Sequence, residues 1–186
     1  MRILIAFALS LVLAGCSTVG LNLGGPSGGL DASRDDLSSL VIAFDLPRGL
    51  GPSPTAGQLF TFDVANGGPS EHLRLTLEPA DADLAMSSLP PPAEGRAYYL
   101  FDLKDADKLA IRAAQASAQQ RGVAASGVKL GIVPKLCNAG PYDANAMTIS
   151  VFAVVPGRTG LMPFLKDETL AHLLTQPGST QMPACT

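Results

Sequence analysis

The sequence predicts a mainly β domain: a two-layer β-sandwich carrying one long crossover helix and a short C-terminal helix. Three observations lead there. At least six short stretches read as strands, several of them alternating apolar and polar residues with the period of two that a pleated strand imposes. Proline and glycine punctuate them, with 15 Pro and 19 Gly in 186 residues. One stretch alone, residues 105–121, changes to an alanine-rich helical composition. The chain is 47% hydrophobic and only 16% charged, which excludes a disordered polymer and is enough for one sizeable core.

The strands follow in order. Leu40 to Leu46 places Leu40, Ile42, Phe44 and Leu46 on one face, and Pro47 ends the run. Gly49, Gly51, Pro52 and Pro54 form a loop. Gln58 to Val64 aligns Phe60, Phe62 and Val64, and the turn Asn66-Gly67-Gly68-Pro69 follows. His72 to Glu78 sets Leu73, Leu75 and Leu77 against His72, Arg74, Thr76 and Glu78, the alternation of an antiparallel sheet with one wet face. Residues 79–96 read as irregular, stiffened by Pro90-Pro91-Pro92. Ala97 to Leu103 is an aromatic strand.

Asp105 to Arg121 reads as the helix, with Asp105 as N-cap, Asp107 at the positive helix end and Arg121-Gly122 as the stop. Val128 to Pro134 returns to strand, with Cys137 just past its end. Thr148 to Val155 is almost continuously apolar and β-branched, as in a strand buried on both faces. Asp167 suits the N-cap of a last short helix with Leu170, Leu173 and Leu174 at helical spacing. The layout resembles immunoglobulin- and transthyretin-type sandwiches. The Cys…Trp…Cys core of the former is absent, since the chain has no Trp. The strand–helix–strand run from Ala97 to Pro134 leaves a second architecture open, an α+β sheet with a right-handed crossover between parallel strands.

The N-terminus carries the most specific signal. Met1-Arg2 precedes an apolar run from Ile3 to Ala14, broken only by Ser10 and ending in Leu13-Ala14-Gly15-Cys16. A dozen apolar residues fall short of the roughly 20 that span a bilayer, but match the core of a signal peptide. Leu, two small residues and Cys resemble the lipobox of bacterial lipoproteins. That resemblance, which covers only the first sixteen residues, implies cleavage before Cys16 and lipidation of its sulfur and new amino group. Two or three acyl chains would anchor the chain stably, since one alone binds marginally. Ser17 in place of Asp implies, by the family's sorting rule, the outer membrane facing the periplasm.

The expected organisation is therefore a signal peptide at 1–15, a lipidated Cys16 with a Gly/Ser-rich tether over 16–38, and one globular domain at 39–186. The tether as flexible coil would reach roughly 26 Å. With Cys16 lipidated, Cys137 and Cys185 remain as an even pair in an oxidising compartment and are expected to form a disulfide closing a loop of about 50 residues.

No motif names a reaction. There is no G-x-S-x-G elbow, no H-E-x-x-H and no phosphate-binding G-x-x-x-x-G-K-[ST]. His72 and His172, the only histidines, read as surface residues. Asp35-Asp36, Asp81/Asp83 and Asp105/Asp107 read as solvated or capping carboxylates, too few for Ca²⁺. Two cysteines and two distant histidines make a poor metal set. No metal or cofactor is expected. A net charge of −3 without a Lys/Arg cluster argues against nucleic acid. Tyr98, Tyr99 and Arg158 are the speculative ligand-binding residues: the tyrosines either stack on a sugar or pack in the core, and Arg158 sits in the turn Gly157-Arg158-Thr159-Gly160. The expectation is a non-enzymatic envelope module with a protein partner, or else a small-ligand or glycan binder, with a hydrolase using His72 or His172 as the last alternative.

Overall fold

A computed structural model describes residues 21–22, 30–65, 70–81, 89–155, 161–175 and 182–185. Ten strands and two helices are present among them: β1 (Leu21–Asn22), β2 (Val41–Pro47), β3 (Leu50–Pro52), β4 (Gln58–Val64), β5 (Glu71–Pro79), β6 (Arg96–Leu103), α1 (Asp105–Gln120), β7 (Val128–Val133), β8 (Leu136–Asn138), β9 (Thr148–Val154), β10 (Met162–Thr169) and α2 (Leu170–Thr175). The fold is mainly β. Eight strands form one sheet in the order β1-β7-β4-β5-β6-β2-β9-β10, and β3 pairs with β8 separately. Every strand pairing within the sheets is antiparallel. The sheet curls, so its two halves enclose one core as the two layers of a sandwich do.

The crossover between parallel strands is therefore corrected. α1 joins β6 to β7, which lie three places apart in an antiparallel sheet and so run in opposite directions. Alternation marks β2, β4, β5 and β7, aromatic content marks β6 and a continuous apolar run marks β9, each to within a residue or so at either end. Their inward residues, among them Ile42, Phe44, Phe60, Phe62, Ile132 and Val151, are almost fully buried in one cluster. β9 is buried on both faces as its composition requires: Ile149, Val151 and Ala153 face the main core. Val154 faces a second cluster on the outer side of β2 and β6, with Ala43, Leu100 and Leu89. Leu89 lies next to the three prolines, so that segment covers the outer face of the central strands.

In α1 the structure chooses between the two large apolar residues. Ile111 is fully buried with Ala114 and Ala118, whereas Leu109 is 67% exposed. Residues two apart on a helix differ by about 200°, so one core cannot hold both. Lys104, not Asp105, is the N-cap, and no side chain caps the helix. Asp107 reaches across instead and accepts from the Thr76 amide at 2.6 Å. Gly122, at φ 68°, ends the helix in the left-handed conformation that glycine adopts readily. Asp167 is not a cap either: it lies in β10 at φ 51°, and its amide donates to the buried Ser150 hydroxyl at 2.9 Å.

The domain begins earlier than the glycine content suggests. Residues 30–38 read as tether by composition, but they pack along α1. Leu37 and Ser38 are fully buried, and Ala32 and Ser33 nearly so. Gln115 donates to the Ala32 and Asp35 carbonyls at 3.0 and 2.8 Å, and Arg112 donates to the Ser38 hydroxyl at 2.7 Å. Leu21–Asn22, also within the expected tether, pairs with β7 through Leu21↔Ile132 and Asn22↔Gly131.

Asp31 and Asp36 hold this segment. Each accepts from a serine two residues on, Ser33 and Ser38, through both hydroxyl and amide. The serine hydroxyls hold both carboxyls below the usual aspartate range against the opposing effect of burial. A carboxyl whose pKa is depressed on folding contributes stability that is present above its unfolded pKa and lost as pH falls through the folded value. Unfolding measured against pH should therefore steepen below about pH 4. Ser33→Ala with Ser38→Ala should flatten that loss while lowering stability at pH 7.

One ion pair fastens the three central strands. Arg96 of β6 donates to the Asp45 carboxylate at 2.7 Å, to the Asp45 carbonyl at 2.8 Å and to the Thr148 carbonyl at 3.1 Å. Both side chains are largely buried, at 17% and 15% exposure. Asp45→Ala strands the guanidinium there and is expected to cost about 3 kcal/mol. Removing both charges, Asp45→Val with Arg96→Met, should cost clearly less in the same denaturant titration, because no desolvated charge is left behind.

Candidate functional site

A concavity among the described residues lies where β2 and β7 end. β3 follows β2 and β8 follows β7, and the two short strands pair through Gly51↔Cys137. The Ser53 amide donates to the Lys135 carbonyl at 2.7 Å. Gln58, only 2% exposed, donates to that carbonyl at 2.9 Å and accepts from the Lys135 amide at 2.6 Å. This lock holds β3 over the end of the main sheet. Gly49, at φ 93°, makes the turn between Arg48 and β3.

The expected disulfide is present: Cys137 and Cys185 are bonded, their Cα atoms 5.0 Å apart and 48 positions apart in sequence. Cys137 is buried and Cys185 exposed. The bond draws the C-terminal residues alongside β8, where the Asn138 amide donates to the Pro183 carbonyl at 2.8 Å and the Cys185 amide to the Asn138 carbonyl at 2.7 Å.

β3, this C-terminal strap and the start of β6 enclose an open cleft of about 540 Å³. Pro47, Pro52, Pro54 and Ala97 give it apolar walls, and Arg48, Tyr99 and Cys185 complete it. A Cβ placed on Gly51 would sit 3.9 Å from both the Tyr99 hydroxyl oxygen and the Cys185 sulfur, so the strand backbone passes close over both. Among the described residues the Arg48 guanidinium makes no ion pair and the Tyr99 hydroxyl no hydrogen bond. The cleft thus offers charged and neutral donors over an apolar floor, an arrangement suited to a ligand with one anionic or acceptor group.

Tyr98 and Tyr99 are not one stacking platform. Neighbouring strand residues point to opposite faces. Tyr99 packs against the main core and opens into the cleft, while Tyr98 packs against the outer cluster. Burial raises the Tyr98 phenol above its ordinary pKa, the Asp45 charge adds to this, and Arg96 opposes it. Cys16, Asp83 and Arg158 lie outside the described residues. Asp81 is exposed.

His72 and His172 are both exposed, on β5 and α2. His72 pairs with Asp63 across β5 and β4, and His172 with Glu168 near the end of β10, four residues earlier. Neither lines the cleft. Among the described residues no three His, Cys, Asp or Glu side chains converge as metal ligands, and no helix is long and apolar enough to cross a membrane. Arg48 and its proline rim were legible only as a loop. A lone Arg between Pro47 and Gly49 is the one local hint, and its significance depends on β8 and the C-terminus, which are remote in sequence. Comparison with protein-family models, curated proteins and solved structures returned no match to this chain.

Proposed function

We propose that this chain is a lipid-anchored module of the bacterial cell envelope, held at the outer membrane through Cys16 and facing the periplasm, whose role is to bind a protein partner without catalysing a reaction. The observation that carries the reading is the Leu13-Ala14-Gly15-Cys16 lipobox, followed within six residues by a strand that joins the folded domain. A disulfide-stapled β domain suits an oxidising compartment. The reading is tested by in-cell crosslinking of the full lipoprotein with mass spectrometry, using Cys16→Ala as the unanchored control. One dominant envelope partner, lost in the control, is the expected result. Cys16→Ala remaining in the outer-membrane fraction would refute the anchor.

A second reading follows from the cleft. Its apolar walls, Arg48 and the Tyr99 hydroxyl favour a small-ligand or glycan-binding lipoprotein, with the ligand at Tyr99 and not at Tyr98. Normal outer-membrane localisation with no crosslinked protein would favour this reading over the partner-binding one.

A further inference from the structure

The cleft beside β3 is defined by what lines it. Its volume of about 540 Å³ falls within the roughly 300–1,000 Å³ of small-molecule sites. Arg48 is its only charged residue, and no Asp or Glu lines it, although the chain as a whole carries a net charge of −3. Arg74, Arg112 and Lys166 likewise make no ion pair among the described residues, but none of them lines the cleft. Position in a concavity, not the lack of a partner, sets Arg48 apart.

The rim is held before a ligand arrives. The Arg48 amide donates to the Gly95 carbonyl and the Ala139 amide to the Gly49 carbonyl, each at 2.8 Å. The turn that carries Arg48 is thus fixed to the start of β6 on one side and to the end of β8 on the other. The Cys137–Cys185 bond seats the Cys185 wall. Gly51 keeps the floor open: a Cβ there would come into ordinary contact with the Tyr99 hydroxyl oxygen and the Cys185 sulfur, and its backbone is not left-handed, so conformation does not demand glycine. A fixed rim lowers the ordering cost of binding.

We infer that the cleft binds a small molecule with one carboxylate and an apolar body, which names the ligand of the cleft-binding reading and rests on it. Arg48 takes the carboxylate, whose two oxygens match the planar fork of the guanidinium. Pro47, Pro52, Pro54 and Ala97 pack against the body, and the Tyr99 hydroxyl donates to a second acceptor oxygen. One cation matches one negative charge, whereas a phosphate monoester brings close to two. A sugar acid would set several hydroxyls against proline and alanine side chains that offer them no partner.

The test titrates the full chain, in phosphatidylcholine bicelles, with N-acetylphenylalanine and reads amide shifts by NMR. Saturable shifts at Gly49, Gly51 and Ala139 are the expected result. The neutral amide of N-acetylphenylalanine should bind about ten-fold more weakly or worse, as should the acid to Arg48→Gln. Tyr99→Phe should weaken the acid several-fold. Arg74→Gln, which removes an exposed cation that does not line the cleft, should change nothing. Equal binding of acid and amide, or equal loss in Arg48→Gln and Arg74→Gln, overturns the inference. Tighter binding of phenyl phosphate than of phenylacetate overturns it too. Glucuronate or N-acetylglucosamine shifting these amides where N-acetylphenylalanine does not overturns the apolar-carboxylate assignment and leaves the cleft as a ligand site. No shift at these amides with any of the probes at about 10 mM removes the ligand-binding reading as well.

Discussion

Replacing Phe44 by alanine is expected to cost about 4 kcal/mol of unfolding free energy. β2 lies inside the main sheet, paired with β6 on one side and β9 on the other. Phe44 points from it into the main core with no exposed surface, and its ring lies 5.1 Å from that of Phe101 at 44°. Truncation removes the transfer free energy of the ring and leaves a cavity that the paired strands on both sides cannot collapse into. A domain of this size holds about 5–15 kcal/mol in all, so the variant loses a large share. Phe44→Leu should cost about half as much or less, because it keeps most of the volume. Leu109→Ala on α1 should change stability by under about 0.5 kcal/mol, since Leu109 is exposed. Guanidinium titrations of the three variants check the ordering. A Leu109→Ala cost comparable to Phe44→Ala would mean that α1 is turned differently on the core.

The disulfide is the second large term. Cys137→Ser with Cys185→Ser releases a loop of about 50 residues, for which the chain-entropy relation gives up to about 4 kcal/mol. The native strap limits part of the loss: Met182 is buried in the main core, and two backbone hydrogen bonds join residues 183 and 185 to Asn138. The local effect is sharper than the global one. Cys185 is itself a wall of the cleft, and the strand bearing Gly51 passes beside its sulfur and the Tyr99 hydroxyl. The serine variant is therefore expected to lose about 2–4 kcal/mol in denaturant. It should also show amide shifts concentrated at residues 49–52 and 136–139, with the C-terminal half of α1 unmoved. Equal stability of oxidised and reduced protein would show that the backbone bonds alone seat the strap.

The two cores explain why the structure tolerates so much proline. Pro90 to Pro92 follow Leu89, which fills the outer cluster over Ala43, Leu100 and Val154, so a segment without secondary structure still excludes water from the back of β2, β6 and β9. The Arg96–Asp45 pair borders the same face, and burial there accounts for the raised Tyr98 phenol.

The sequence by itself determined the mainly β class, the positions of β2, β4, β5, β6, β7 and β9, the span of α1 and the cysteine pair. These signals are local: alternation reports which side of a strand meets the core, and an alanine run with a terminal glycine reports a helix and its stop. Tertiary structure alone decided the rest. β3 and β8 have three residues each, too few to show a period, and exist because each is the other's partner. β10 breaks its own alternation at two register shifts and carries Lys166, Asp167 and Glu168 at the sheet's edge, where solvent accepts them. Residues 30–38 have the composition of a linker and are ordered because Gln115 and Arg112 of α1 satisfy or engage them. Antiparallel order, the exposure of Leu109 over Ile111, and the convergence of Arg48, Tyr99 and Cys185 on one cleft all depend on contacts between residues remote in sequence. Such contacts form only when the whole chain has closed around its core, which is why no window of the sequence contains them.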